Sequence, residues 1–225
     1  IDIDKTPHIL IGGNTGSGKS VLVQCLLWQA IHQADVVYVA DFKGGVDFSY
    51  VWQEFAYIIT EEKKLLVLLN HLADILEERK RLFKEVDAAN ITEYREKSGD
   101  YMQRIVFACD EVAELLDKTG ADKARKELLA QIEARLALIA RQGRAFGIHL
   151  ILAPQRPDAN ILPGQIKNNM NIRICGRADT TLSTIIIGDG RAAEQIPHDA
   201  QGRFIMEDGT VFQAYYFSDD TISKW

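Results

Sequence analysis

The chain has 225 residues, a formal net charge of −6 and a hydrophobic fraction of 47%, which predict one large α/β domain over residues 1–225. The negative charge argues against a surface that coats nucleic acid everywhere, although it leaves room for a local basic channel. No run approaches the roughly 20 apolar residues of a membrane-spanning helix, and none resembles a signal peptide, so we expect a cytoplasmic location. Three separated cysteines and five scattered histidines predict neither disulfides nor a histidine metal site.

The first half of the chain alternates predicted strands and helices. Residues 8–12 are a short apolar run closed by glycines, typical of a buried strand, and residues 19–32 follow with helical spacing. The run DVVYVAD at residues 35–41 predicts a second buried strand. Residues 63–86 predict a long amphipathic helix, and we interpret its segment EERKR, at residues 77–81, as a solvated face.

The second half continues this alternation. Residues 105–110 predict a third strand, residues 122–146 a second long helix, and residues 148–154 a fourth strand of continuous apolar type. Alternating strands and helices predict an α/β fold with a doubly wound, mostly parallel sheet. The later predicted elements are a helix at 164–169, a strand at 172–175, a helix at 180–187, and a C-terminal β-hairpin formed by 202–206 and 211–217 around an Asp-Gly turn.

A phosphate-binding motif lies between the first strand and the first helix. Residues 13–20 read GNTGSGKS and match G-x-x-x-x-G-K-[ST], with glycines that let backbone N–H groups point at phosphate oxygens. Lys19 is expected to bridge the β- and γ-phosphates of ATP, and the Ser20 hydroxyl to ligate Mg²⁺. A chance glycine-rich loop is the alternative, which the strand-to-helix context disfavours. The predicted nucleotide contacts are Gly13, Asn14, Thr15, Gly16, Ser17, Gly18, Lys19, Ser20 and Val21.

Two acids and an amide follow buried strands. Asp110 ends the third strand and is expected to hold Mg²⁺ through water, whereas Glu111 is placed to polarise the attacking water as general base. A solvated acidic turn is the alternative, which the apolar strand and the upstream motif disfavour. Gln155 directly follows the fourth strand, where it could orient water and sense the γ-phosphate or simply cap the strand.

Several sequence blocks resemble the FtsK/SpoIIIE family. They are PHIL before the phosphate loop, Asn90-Ile91 with Tyr94, RAFGIHL at 144–150 and LAPQRP at 152–157, in family order over most of the chain. The resemblance implies a hexameric ring ATPase that pulls double-stranded DNA through a central pore. The turn DFKGG at 41–45 looks more like the conjugative-element and secretion branches of the family than like its chromosome-segregating members.

The resemblance also implies an arginine that completes the neighbouring subunit's site and basic residues that face the pore. Arg144 is preferred as this finger over Arg141, Arg173 and Arg177, because a guanidinium can neutralise charge on the γ-phosphate, although a surface arginine is by default a solvated charge. The predicted DNA contacts are Lys118, Lys123, Lys126 and Lys167. The segment 118–126 could equally be an ordinary charged helix start.

Together these features predict a RecA-like P-loop NTPase domain that hydrolyses ATP with Mg²⁺ and, as a homo-hexamer, translocates duplex DNA in conjugative transfer or chromosome segregation. The alternatives are an ATPase that exports polypeptide and a module that binds nucleotide without hydrolysing it. Because the chain starts at Ile1 and a strand follows within about ten residues, we expect a fragment of a longer protein. The family resemblance implies that this longer protein is anchored to the membrane.

Overall fold

Strands from all parts of the chain form one sheet in the computed structural model, which describes residues 8–43, 47–154, 162–216 and 219–222. The strands are β1 Ile9–Gly12, β2 Val36–Ala40, β3 Tyr57–Ile59, β4 Ile105–Asp110, β5 Ile148–Ala153, β6 Ile172–Cys175, β7 Arg203–Met206 and β8 Val211–Gln213. The helices are α1 Lys19–His32, α2 Glu62–Glu85, α3 Ile91–Ser98, α4 Val112–Leu116, α5 Lys123–Gln142, α6 Gly164–Lys167, α7 Thr180–Ile187, α8 Arg191–Gln195 and α9 Asp219–Ile222.

Among the described residues, the sheet has eight strands in the order β3-β2-β4-β5-β1-β6-β7-β8. The first six strands in this order are parallel, and β7 and β8 are added antiparallel as a hairpin. The predicted doubly wound, mostly parallel sheet with a C-terminal hairpin is therefore confirmed. Parallel strands end at the same edge, so the residues that follow β1, β2, β4 and β5 lie side by side.

Alternate residues of the central strands pack on opposite faces of the sheet. Leu10, Phe107 and Leu150 belong to one buried cluster, which also contains the apolar faces of α2 and α5. Ile9 and Val106 belong to a second cluster, which contains the apolar face of α1. Since both faces are covered, the central strands are apolar along their whole length, which is why their sequences show no alternation.

The end of α5 and the charged segment of α2 differ from the sequence expectations. Helix α5 ends at Gln142 rather than at 146, because the chain turns back there into β5: Gly147 has φ +67°, and the Ile148 amide donates to the Gly143 carbonyl at 3.0 Å. Arg79 does not belong to a solvated face: it is 7% exposed and its guanidinium donates to the carbonyl oxygens of Phe146 and Gln103. Burial lowers the pKa of Arg79 to about 10.

Short elements that the periodicity did not reveal complete the fold. Strand β3 extends the sheet edge, and Asn90 caps the start of α3, where its side chain accepts from the Glu93 amide at 3.0 Å. The second hairpin strand was expected to reach 217 but ends at Gln213. The Ala214 amide still donates to the Gly202 carbonyl, but the Gly202 amide donates to the Ser17 carbonyl of the phosphate loop and does not return the bond. Within the described ranges, none of the helices is both long and apolar enough to cross a membrane.

Candidate functional site

The loop between β1 and α1 is closely fitted around its glycines. Gly18 has φ +92°, and a Cβ there would lie 3.0 Å from the backbone of Gly202. Gly13 lies at the base of the loop with φ +153°, where a Cβ would lie 2.5 Å from Ser17 Oγ. Side chains at either position are therefore excluded by both backbone conformation and space, and α1 begins directly after the loop, at Lys19.

Neighbouring backbone fixes the loop from two sides. The Asn14 amide donates to the Arg177 carbonyl at 2.8 Å, and the Arg177 guanidinium returns a hydrogen bond to the Thr15 carbonyl at 2.8 Å. The Gly202 amide donates to the Ser17 carbonyl at 2.8 Å. The residues after β6 and those before β7 thus hold the loop in its curled form. Arg177, one of the four arginines considered as fingers, therefore contacts the loop of its own subunit.

Lys19, Ser20 and Asp110 converge at the sheet edge. Lys19 Nζ lies 2.5 Å from Asp110 Oδ1, and Ser20 Oγ donates to Asp110 Oδ2 at 2.9 Å. Burial alone would raise the pKa of Asp110, but the Lys19 ammonium outweighs it, with Lys43 and the Ser20 hydroxyl acting in the same direction, so the pKa is lowered. Asp110 is therefore a buried carboxylate that stays charged.

Glu111 has an unusual backbone conformation beside Asp110. Its φ is +69°, its amide donates to the Ala153 carbonyl at 2.8 Å, and it is 7% exposed. Left-handed backbone at a non-glycine residue is costly and concentrates at functional sites. The bond to Ala153, the last residue of β5, holds this conformation at the end of the two central strands.

Lys43 is a site residue that the sequence analysis did not assign. Its ammonium lies 3.2 Å from Asp110 Oδ2, 3.3 Å from Asp47 Oδ2 and 3.8 Å from Glu111 Oε2. Burial would lower the pKa of Lys43, but the carboxylates of Asp110 and Asp47 raise it on balance. The sequence does contain a signal for Lys43, because this residue lies just after the second buried strand, whose end lies at the same edge of the sheet as the phosphate loop. Above, this turn served only to compare branches of the family.

Two adjoining cavities surround the loop. The larger, of about 450 Å³, is lined by Asn14, Thr15, Gly16, Ser17, Gly18, Lys19, Ser20, Val21, Lys43, Asp47 and Gln201. The smaller, of about 220 Å³, is lined by Gly18, Val21, Gln201, Gly202, Gln213, Ala214, Tyr215 and Tyr216. Because Gly18, Val21 and Gln201 line both, the two cavities meet at the start of α1. Every predicted loop contact from Asn14 to Val21 lines the larger cavity.

The site has oxygen ligands of the kind that Mg²⁺ prefers. Ser20 Oγ and Asp110 Oδ2 lie 2.9 Å apart, and hydroxyl and carboxylate oxygens suit this hard cation. The Lys43 ammonium beside Asp110 Oδ2 indicates that the environment already favours a positive charge there. The residues present therefore fit a magnesium ion.

Arg144 lies far from the loop of its own subunit. It is exposed and precedes β5, whereas the loop follows the end of the parallel neighbour β1, so the two lie at opposite edges of the sheet. Arg144 lines a separate cavity of about 210 Å³ with Asn90, Ile91, Thr92 and Ala145. Gln155, the predicted water-orienting amide, falls outside the described residues.

The four predicted DNA-contacting lysines have different surroundings. Lys123 and Lys126 are exposed at the start of α5, and Lys118 pairs with Glu133 at 2.6 Å. Lys167 is partly buried, and its carbonyl accepts from the guanidinium of Arg173 on β6. Because the α5 start follows the end of β4, while Lys167 precedes the start of β6, the two groups lie toward opposite edges of the sheet.

Comparisons with known proteins agree with the presence of a phosphate-binding loop and acidic residues at the edge of the sheet. The model of the FtsK/SpoIIIE family matches residues 1–159. The DNA translocase FtsK of Campylobacter jejuni is 31% identical over 207 residues, which cover 87% of this chain and 21% of that protein. The chain thus spans about a fifth of that relative's length.

Two solved structures share the fold. The pCW3 conjugation coupling protein TcpA, in a monomer form with ATPγS, is 42% identical with a TM-score of 0.93, covering 100% of this chain and 65% of that chain. EssC from Geobacillus thermodenitrificans is 20% identical with a TM-score of 0.78, covering 98% of this chain and 42% of that chain. The second likeness is evidence of fold alone.

Proposed function

The chain belongs to the FtsK/SpoIIIE family, and from this membership we propose that it is an ATP-hydrolysing motor domain that translocates double-stranded DNA. The observation that carries the proposal is the convergence of Lys19, Ser20, Asp110 and Glu111 at one sheet edge beside the phosphate loop. Binding alone would need only the loop, whereas hydrolysis needs the two carboxylates in separate roles.

Each of the four residues has a distinct part in hydrolysis. Lys19 exchanges its Asp110 partner for the β- and γ-phosphates of ATP, and Ser20 with Asp110 would hold Mg²⁺. That ion would neutralise phosphate charge. Glu111 accepts a proton from the attacking water, and its bonded backbone keeps the carboxylate in place during the reaction. Gln155 is proposed to orient that water.

The smaller cavity is proposed to hold the nucleoside. It adjoins the phosphate cavity at Gly18 and Val21, and its far side is formed by Ala214, Tyr215 and Tyr216. Tyr215 is 90% exposed and Tyr216 78% exposed, so both offer aromatic surface to a planar base.

The motor is proposed to act as a homo-hexameric ring, with Arg144 completing the site of the next subunit. Its place at the edge opposite its own phosphate loop is compatible with action across an interface and not with action within one subunit. The surfaces proposed to track DNA carry Lys118, Lys123, Lys126 and Lys167, which would contact phosphates without reading sequence.

Conjugative transfer is the favoured setting. The 42% identity to a conjugation coupling protein supports it over chromosome segregation. The family resemblance further supports a location at the inner face of the cell membrane, where the longer protein would be anchored. Export of polypeptide, the alternative, has in its favour the sequence DFKGG at 41–45, which looks like the secretion branch of the family as well as the conjugative-element branch.

ATP turnover with and without duplex DNA tests the proposal. We expect Mg²⁺-dependent hydrolysis that rises when DNA is added, and loss of that hydrolysis in Lys19→Ala, since this change removes the cation that faces the β- and γ-phosphates. Near-normal turnover in Lys19→Ala would reject the site assignment. If the rate of ATP hydrolysis does not change with DNA but rises with a polypeptide substrate, the export alternative is supported instead.

A further inference from the structure

Lys43 lies beside Asp110 because β2 pairs with β4. Ala40, the last residue of β2, is in register with Cys109, so the chain beyond β2 runs beside Asp110. Asp41 Oδ1 accepts from the Lys43 amide at 2.9 Å and closes a tight turn between them. Asp41 is 2% exposed, so this turn is anchored in the protein interior and fixes where the Lys43 side chain starts.

The Lys43 ammonium holds three carboxylates together in this structure. It contacts Asp110 and Asp47 at 3.2 and 3.3 Å, and Glu111 lies at 3.8 Å. Asp47 is itself tied to α1, because its carbonyl accepts from the amide of Gln24. Lys43 therefore links the turn after β2, the acids after β4 and the helix that follows the phosphate loop.

The charge balance at the cavity changes when a triphosphate enters it. Lys19 and Lys43 both contact Asp110, although one carboxylate balances only one unit of positive charge. Once Mg²⁺ and ATP are bound as proposed above, Asp110 has another cation as its partner. Lys43 then keeps its contacts with Asp47 and Glu111, and its side chain, which is 31% exposed, lines the same cavity as the phosphate loop.

We infer that Lys43 is a second cation for the terminal phosphate: besides holding Asp110, Asp47 and Glu111 together, it contacts the γ-phosphate when ATP is bound. This inference depends on the proposed function, because it presumes that a nucleoside triphosphate occupies the cavity. Lys43 thereby discriminates ATP from ADP, since only ATP carries the phosphate that Lys43 contacts. Hydrogen bonds to charged groups are strong enough to make such a difference measurable.

Calorimetric binding of ATPγS and ADP, each with excess Mg²⁺, tests the inference without relying on turnover. Lys43→Met should weaken ATPγS binding by roughly ten- to hundredfold and ADP binding by less than about threefold. Lys43→Arg, which keeps the charge, should recover part of the discrimination. Lys64→Met is the matched control, because Lys64 lies at the exposed start of α2, paired with Glu61.

The outcomes separate this inference from the proposed function. Equal weakening of both nucleotides by Lys43→Met, no weakening of either, or an arginine variant that behaves like the methionine variant would overturn the role of Lys43 and leave the proposed function standing. A wild-type protein that binds both nucleotides but hydrolyses none would overturn only the proposed hydrolysis. Binding of neither nucleotide by the wild type would overturn both.

Discussion

His8 makes the stability of the central sheet depend on pH. The residue immediately precedes β1, is 1% exposed, and its Nδ1 accepts from the Leu150 amide at 3.0 Å. Burial, with a smaller contribution from the neighbouring His149 ring, lowers the pKa of His8 from its ordinary 6.5 to about 3. Between about pH 3 and pH 6.5 the ring is therefore neutral in the folded protein, whereas the unfolded chain would protonate it.

The sign and size of the effect follow from this difference. Because the pKa is depressed on folding, the stabilisation is fully present above pH 6.5 and is lost as the pH falls from 6.5 towards 3. Each pH unit in that window costs about 1.4 kcal/mol of unfolding free energy. The loss between pH 7 and pH 5 should therefore be about 2 kcal/mol.

Denaturant unfolding of the wild type and of His8→Asn at pH 7 and pH 5 measures this loss. Asparagine keeps an acceptor near the Leu150 amide but cannot titrate. We expect His8→Asn to be less stable than the wild type at pH 7. Its free energy of unfolding should then fall by about 2 kcal/mol less than that of the wild type when the pH is lowered to 5. His71→Asn, on the exposed side of α2, is the control for the substitution itself. A stability gap between wild type and His8→Asn that stays constant from pH 7 to pH 5 would refute the reasoning.

Three further predictions concern the motor itself. Glu111→Gln should lower ATP turnover by roughly 10²- to 10⁴-fold, while its nucleotide affinity stays close to that of the wild type, because the amide keeps the shape of the side chain and loses the base. If calorimetry finds no nucleotide binding, Glu111 is a structural residue. Mixing Arg144→Ala with Lys19→Ala subunits should restore some ATP turnover, because one kind of mixed interface pairs an intact phosphate loop with an intact arginine. If size-exclusion chromatography shows that the mixture contains both subunits and turnover does not recover, Arg144 is not the arginine finger. Replacing Lys123 and Lys126 with glutamine should weaken binding to duplexes of unrelated sequence by the same factor. It should also reduce the slope of log affinity against log salt concentration by about two. If the slope does not change, the protein binds DNA through other residues.

Local pattern was sufficient for the buried parallel strands of the sheet centre and for the phosphate loop. Buried parallel strands are continuous apolar runs, so β4 and β6 were predicted with the bounds that the structure has. The loop needs glycines, a lysine and a hydroxyl at fixed spacing, because the chemistry depends on backbone that curls within one short segment. The placement of Asp110 and Glu111 could be predicted because an acid that ends a buried strand must lie at the same edge as the loop.

Contacts between segments far apart in sequence could not be predicted in this way. Arg79 looked solvated because its neighbours on α2 are charged, and only the packing of α2 against the chain before β4 and β5 shows that its guanidinium is buried. Arg177 and Gly202 hold the phosphate loop from segments more than 150 residues further along the chain.

The sequence by itself determined the α/β class, the family, the phosphate loop and the two acids, because each depends on motifs or periodic patterns that can be identified within local segments and by their order along the chain. Only the tertiary structure decided which charges share the cavity and which do not. Lys43 reaches Asp110 because β2 pairs with β4, and Arg144 lies at the opposite edge from its own loop because β5 runs parallel to β1. Strand order and direction set these distances, since they arise from long-range pairing that no local spacing encodes.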